Sequence, residues 1–425
     1  MNDETTLLVT VTGRDRPGIS ARLLSTLSVF PVTIVDLEQV VLAGRLVLGA
    51  VLEVDERVAP GVSRHRVFEE VRNALDKTAI DLDMEVDYAS GDAQNRVSES
   101  SSVSAVRLHV TVLADPLRPG ALGAITSCVA RAGANIDRIE RLSSYPVTSV
   151  EMEISGAAGD TARLAQLRAE LAMEAATQGV DVAVQPSGLH RRAKHLIVMD
   201  VDSTLIQGEV IELLAAHAGC EEEVARVTEQ AMRGELDFEE SLRRRVALLK
   251  GLDESAIGKV CEEIQLTPGA RTLIRTLKRL GYECGIVSGG FTQITDVLVE
   301  RLGLDYAAAN TLEVVDGKLT GGLVGPVVDR KGKAVTLERF AREAGVPLEQ
   351  TVAVGDGAND LDMLQTAGLG VAFNAKPVVR QQADTSVNVP YLDTIAFILG
   401  ITREEIEAAD LHAEAEPAST GGTAL

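Results

Sequence analysis

The segment Asp200-Val201-Asp202-Ser203-Thr204 sets two carboxylates and two hydroxyls directly behind an apolar run, His195 to Val201, that reads as a buried β-strand. In an open parallel sheet the carboxyl ends of the strands border the ligand crevice, so both acids stand where a substrate can reach them. Taken alone, an Asp-rich turn that caps a helix explains this segment equally well. Gly355-Asp356-Gly357-Ala358-Asn359-Asp360 follows another apolar run, Thr351 to Val354, and adds Asp356 as a third carboxylate at the same sheet edge. A tight turn accounts for those glycines but not for the acids and the amide. Between the two segments, Val287-Ser288-Gly289-Gly290 offers a hydroxyl and backbone N–H groups at a strand end and helix start, which is an anion cradle. Lys333 brings a cation to a predicted helix N-terminus, where lysine is disfavoured unless an anion lies nearby; a phosphate supplies one. A nucleotide-binding P-loop does not fit, because the required earlier glycine is missing and Ala334 replaces the metal-binding Ser or Thr.

Four such segments meet only if strands carry them to one edge. From Lys194 onward, short apolar runs at His195–Val201, Glu283–Val287, Thr351–Val354 and Gly368–Ala372 alternate with longer helical stretches, which predicts an α/β domain with a doubly wound parallel sheet. Glu209 to Ile264 reads as nearly all helix, too much for one crossover, and is expected to be an inserted cap. The first half of the chain is a repeat. Arg16-Pro17-Gly18 recurs as Arg118-Pro119-Gly120, each between a β-rich run and an amphipathic helix, and each copy reads βαββαβ, the ferredoxin-like order. The expected division is 1–88 and 105–186 for the two ferredoxin-like copies, with a polar linker at 89–104. The core then takes 187–207 and 266–407, the helical cap 208–265, and a flexible tail 408–425. Pro186-Ser187-Gly188 reads as a hinge.

Composition narrows the partners. A chain of 425 residues is too long for a single core, and its net charge of -22 repels nucleic acid because the basic runs at His190–His195 and Arg243–Arg245 are too short to overcome it. Cys128, Cys220, Cys261 and Cys284 lie far apart, without metal-ligand or disulfide spacing, and the six histidines show no ligand spacing either. No run is apolar enough for a membrane, the N-terminus is acidic, and a cytoplasmic protein is expected.

The four segments, in order over about Lys194 to Gly400, resemble the signature regions of the haloacid dehalogenase-like phosphatases. The cap segments Gly208-Glu209, Met232-Arg233-Gly234, Phe238-Glu239-Glu240-Ser241-Leu242 and Arg243–Val246 resemble the branch that hydrolyses O-phospho-L-serine. This resemblance implies an aspartyl-phosphate mechanism with Asp200 as nucleophile and Asp202 as acid and base. It implies Mg²⁺ held by Asp200, Asp356 and the Asp202 backbone carbonyl, with Asp360 as a support residue. Ser288, Gly289, Lys333 and Asn359 would face the phosphate, Glu209 the substrate ammonium, Arg245 its carboxylate, and Met232 and Phe238 an apolar wall. The repeated half resembles ACT domains, which bind amino acids and pair through their sheets. Asp15 and Gly18 in the first copy, and Gly120 and Asn135 in the second, match parts of the ligand loop, whereas Thr33 and Leu117 depart from it. The implied regulator is L-serine or another amino acid, bound at sites shared between copies in a homodimer or higher homo-oligomer.

Overall fold

A computed structural model describes residues 5–91, 106–157 and 161–415, apart from 59, 189, 190, 192 and 234. Contacts divide the chain into two compact units, residues 1–104 and 105–425.

In the first unit, β1 (Thr6–Arg14), β2 (Val32–Leu42), β3 (Arg45–Val54) and β4 (Met84–Gly91) form an antiparallel sheet in the order β2-β3-β1-β4. Helices Ile19–Leu27 and Arg64–Asp81 complete the βαββαβ order. The alternation Leu7, Val9, Val11 turns one face of β1 inward, where Ile19, Leu23, Phe68, Val71 and Leu75 meet it in a separate core.

The second unit is built on one sheet of eleven strands. Its ferredoxin-like part contributes β5 (Val106–Ala114), β6 (Asn135–Ser143), β7 (Thr148–Ala157) and β8 (Asp181–Pro186), with helices Pro119–Arg131 and Thr161–Gln178. The α/β part contributes β9 (Leu196–Met199), β10 (Glu283–Phe291), β11 (Tyr306–Val315), β12 (Lys318–Val324), β13 (Thr351–Gly355), β14 (Gly370–Phe373) and β15 (Thr385–Val387). Strand β9 lies in the middle, parallel to both β10 and β13, so the chain reverses its winding there. Every residue of β9, Leu196 to Met199, is buried, as expected of a strand covered on both faces. Helices Val210–Ala218, Glu221–Met232, Phe238–Leu248 and Ser255–Glu263 leave the sheet after β9 and return before β10.

Three features were not legible. Strands β11 and β12 form an antiparallel hairpin, and β12 packs against helix Phe238–Leu248. The expected hinge at Pro186-Ser187-Gly188 is bound into the sheet: Pro186 pairs with Leu108, and the Ser187 N–H donates to the Arg107 carbonyl at 2.8 Å. Strand β8 then pairs antiparallel with β15 through Ala183 and Thr385, joining the ferredoxin-like sheet to the α/β sheet. The tail expected to be flexible from residue 408 is, as far as it is described, the end of helix Arg403–Ala415. It is held by buried Ile406 and by Asp410, which pairs with Arg275 and Arg279 at 2.5 Å each. Ala- and Glu-rich composition misled there, because a single apolar residue at the right helical phase suffices to dock it.

Candidate active site

Strand β9 ends at Met199, and the Asp200 N–H donates to the Val354 carbonyl at 2.8 Å, which fixes the start of the acidic segment beside the end of β13. The backbone then turns sharply. Ser203 has a φ of 56°, and its N–H donates to the Gly208 carbonyl at 3.0 Å. Asp200 and Asp202 keep extended backbone, with φ of -64° and ψ of 160° and 131°, so the turn falls at Ser203, and both carboxylates line one cleft of about 680 Å³. The Asp202 carboxylate accepts from the Val210 N–H at 2.8 Å and from the Ser288 hydroxyl at 3.1 Å, so it ties the cap entrance to the core.

Lys333 reaches the site from helix Arg330–Glu343 and is 1% exposed. Its Nζ stands 2.7 Å from Asp200 Oδ1 and 2.6 Å from Asp360 Oδ1, so carboxylates supply the anions that its position beside the helix N-terminus requires. Burial pulls the Lys333 ammonium down, but Asp200 and Asp360 outweigh it and hold it above its ordinary value. For Asp200 the balance runs the other way: burial, then the charge of Asp360, raise it well above the usual carboxylate range against the pull of Lys333. Asp356 is pushed up to about 6, by burial first and Asp360 next. The other oxygen of Asp360 accepts from the Gly357 N–H at 2.9 Å. Gly355 is needed there, because a Cβ on it would lie 2.5 Å from Asp360 Cγ.

Two carboxylates, Asp200 and Asp360, thus hold one ammonium, and oxygens of Asp200, Asp356 and Asp360 lie within 4.8 Å of one another. An acidic, all-oxygen cluster of carboxylates this close together fits a hard divalent cation. Both oxygens of Asp360 are engaged by Lys333 and Gly357, which leaves Asp200 and Asp356 as the carboxylates free to coordinate. The Asp356 carboxylate is steadied by Thr204 Oγ1 at 3.3 Å.

The cap supplies the opposite wall. Glu209, Phe238 and Arg245 line the cleft together with Gly289, Lys333 and Asn359 of the core. The Phe238 ring rests on Gly289, where a Cβ would come within 2.9 Å of it. Burial, followed by Asp202 and Asp356, pushes Glu209 up to about 7, with Arg245 opposing. Burial lowers Arg245, with Glu209, Asp202 and Glu212 opposing. Ser288 does not line the cleft; its hydroxyl is spent on Asp202 and on the Gly290 N–H at 2.7 Å. The cradle expected at a helix start is thus partly closed, since β10 runs on to Phe291 and the helix begins at Thr292. Met232 ends helix Glu221–Met232, and its side chain lies outside the described residues. Arg330 and Lys376 also line the cleft. Lys376 could have been flagged by its place just past the carboxyl end of β14.

The residues expected to bind a regulator do not form part of this cleft. Asp15 and Gly18 are exposed in the first unit, with Gly18 at a φ of 95° before helix Ile19–Leu27. In the second unit Gly120 lies inside helix Pro119–Arg131, and the Asn135 side chain donates to Asp137 at 2.7 Å. The two loops therefore differ in backbone form despite the shared Arg-Pro-Gly.

Residues 197–365 match the haloacid dehalogenase-like hydrolase family, and residues 5–89 and 107–185 each match an ACT domain family. The chain is 58% identical to the phosphoserine phosphatase of Streptomyces coelicolor, covering 97% of this chain and 96% of the relative. It is 50% identical to phosphoserine phosphatase SerB2 of Mycobacterium tuberculosis, covering 96% of this chain and 97% of the relative. Among solved structures, a probable phosphoserine phosphatase from Vibrio cholerae in unliganded form is similar at a TM-score of 0.55 and 37% identity, over 71% of this chain and 88% of that one.

Proposed function

Because the chain belongs to the phosphoserine phosphatases, within the haloacid dehalogenase-like hydrolases, we propose that it hydrolyses O-phospho-L-serine to L-serine and phosphate at the cleft between cap and sheet. The observation that carries this reading is the pairing of buried Lys333 with Asp200 beneath a cap that presents Glu209 and Arg245.

A phosphomonoester carries nearly two negative charges, so a carboxylate can attack it only where countercharge is already in place. Lys333 provides part of it. A divalent cation, Mg²⁺ by preference, would be held by Asp200, Asp356 and the Asp202 backbone carbonyl, and would supply Lewis-acid neutralisation of the phosphoryl oxygens. Asp200 attacks the phosphorus in line and the serine oxygen leaves, giving an aspartyl phosphate. Asp202, held by Val210 and Ser288 and kept above its usual range by burial, gives the departing oxygen its proton. It then takes a proton from the water that cleaves the acyl phosphate and regenerates Asp200. Asp360 keeps Lys333 aimed at Asp200. Gly289, Asn359 and the Ser288 loop receive the phosphate, Glu209 the ammonium and Arg245 the carboxylate, while Phe238 and Met232 keep water out of the closed site.

Acid-quenching the enzyme during turnover of labelled phosphoserine should trap label on the protein, and Asp200→Asn should show neither label nor turnover while remaining folded. Turnover by that variant at the parental rate would sink the proposal. Arg245→Ala should impair phosphoserine hydrolysis at least tenfold more than hydrolysis of an aryl phosphate, in line with loss of a charge-assisted hydrogen bond. Chelation should abolish activity and Mg²⁺ restore it. The ACT domains are proposed to bind L-serine or another amino acid as a feedback signal through Asp15, Gly18, Gly120 and Asn135, in a cytoplasmic homo-oligomer. Calorimetric titration with L-serine, heatless for the parent protein or unchanged by Gly18→Ala, would count against that part.

A further inference from the structure

Helix Phe238–Leu248 turns Phe238, Ser241, Leu242 and Arg245 toward the cleft, a spacing that keeps all four on one face. Ser241 has no part in the reaction as written above. It is 2% exposed, and its Oγ is buried without a hydrogen-bond partner. A serine or threonine inside a helix ordinarily satisfies its hydroxyl on the carbonyl four residues back. In this chain Thr228 does so on Val224, Thr177 on Met173 and Thr366 on Asp362, but Ser241 does not. One turn further along the same face, Arg245 Nε is also buried and unpartnered. The acids that act on Arg245, namely Glu209, Asp202 and Glu212, leave that N–H unbonded.

Two orphaned donors on successive turns, facing one cleft, match a ligand group with two acceptor oxygens. Phe238, anchored on Gly289, fixes the helix over the site, so this pair is set at a defined height above the sheet edge. We propose that Ser241 is a specificity-determining residue: its hydroxyl donates to one carboxylate oxygen of the bound phosphoamino acid while the Arg245 guanidinium takes the other. The inference rests on the phosphoserine reading and sharpens it, because it makes recognition of the carboxylate a two-residue task.

The test compares O-phospho-L-serine with O-phosphoethanolamine, which keeps the phosphate and ammonium but lacks the carboxylate. Ser241→Ala should raise KM for phosphoserine about tenfold, as expected for one hydrogen bond to a charged group, with kcat changed less than about twofold. The inhibition constant of phosphoethanolamine should move less than about twofold, and Ser241→Thr, which restores a hydroxyl, should recover most of the phosphoserine affinity. Equal shifts for the two ligands, or no shift for either, would overturn the role of Ser241 alone. Parent enzyme that bound phosphoethanolamine as tightly as phosphoserine would overturn the substrate reading and this inference with it.

Discussion

At Glu209 and Lys333 charge and burial pull against each other. Glu209 must be ionised to hold an ammonium, yet burial and its acidic neighbours push it up to about 7. The carboxylate form alone attracts the substrate, so KM for phosphoserine should fall as pH rises through that value and climb below it. Glu209→Gln should raise KM and remove this part of the profile, leaving only titration of the substrate phosphate. A parental KM as flat in pH as that of the variant would show that Glu209 does not carry the ammonium. Lys333→Met would strand Asp200 and Asp360 as buried acids without their cation. Breaking a buried pair costs about 3–5 kcal/mol, so urea unfolding in the presence of a chelator at pH 7 should show a loss of that order. Asp200, already raised by burial and then by the charge of Asp360, would lose the opposing pull of Lys333 and titrate still higher in the folded state than in the unfolded chain, so the native form would bind more protons between those values and lose stability as pH rises. The deficit should accordingly shrink toward pH 5.

Among the elements, helix Arg403–Ala415 shows which kind of contact holds a docked segment. Its ion pairs from Asp410 to Arg275 and Arg279 are about one-third to one-half exposed, whereas Ile406 is 2% exposed. Solvent screening limits exposed pairs to about 0–1 kcal/mol, while truncating a buried isoleucine costs about 2–5 kcal/mol. Ile406→Ala should therefore lower stability several times more than Asp410→Ala, by thermal or denaturant unfolding; the reverse order would mean that the charges dock the helix. The strands that carry the site were legible because their apolar runs are short and continuous, as at Leu196–Met199 and Val352–Val354. The β11–β12 hairpin was not, since Tyr306–Val315 is half-buried and irregular where it meets the cap, and no continuous run or clean alternation marks it.

For the whole molecule, the joined sheet is the feature with most consequence. Asp181 on β8 accepts from the Asn388 N–H at 2.6 Å, its side-chain amide at 2.5 Å and the Val389 N–H at 3.2 Å. The Gln185 side chain donates to the Ile398 carbonyl at 2.7 Å, and Arg191 pairs with Glu151 in the same layer. Leu113, Leu142, Val147 and Ala183 share one apolar cluster with the α/β core. Residues 105–425 should therefore unfold as one cooperative block, and a fragment starting at residue 105 should stay folded and active. A fragment starting at residue 188 should aggregate, because the edge of β15 and the donors of Asn388 and Val389 lose their partners. Soluble, fully active protein from that shorter fragment would contradict this.

The sequence by itself determined the chemistry and the order of the parts. Residue types at strand ends, and a repeat of Arg-Pro-Gly between strand and helix, are local signals that survive without knowledge of packing. Tertiary structure alone decided which oxygens of Asp360 are spent on Lys333 and Gly357, that Ser288 bonds Asp202 behind the cleft wall, that Ser241 keeps a bare hydroxyl, and that β8 pairs with β15. Each of these depends on groups far apart in the chain reaching hydrogen-bond distance, and neither periodicity nor spacing encodes such an approach.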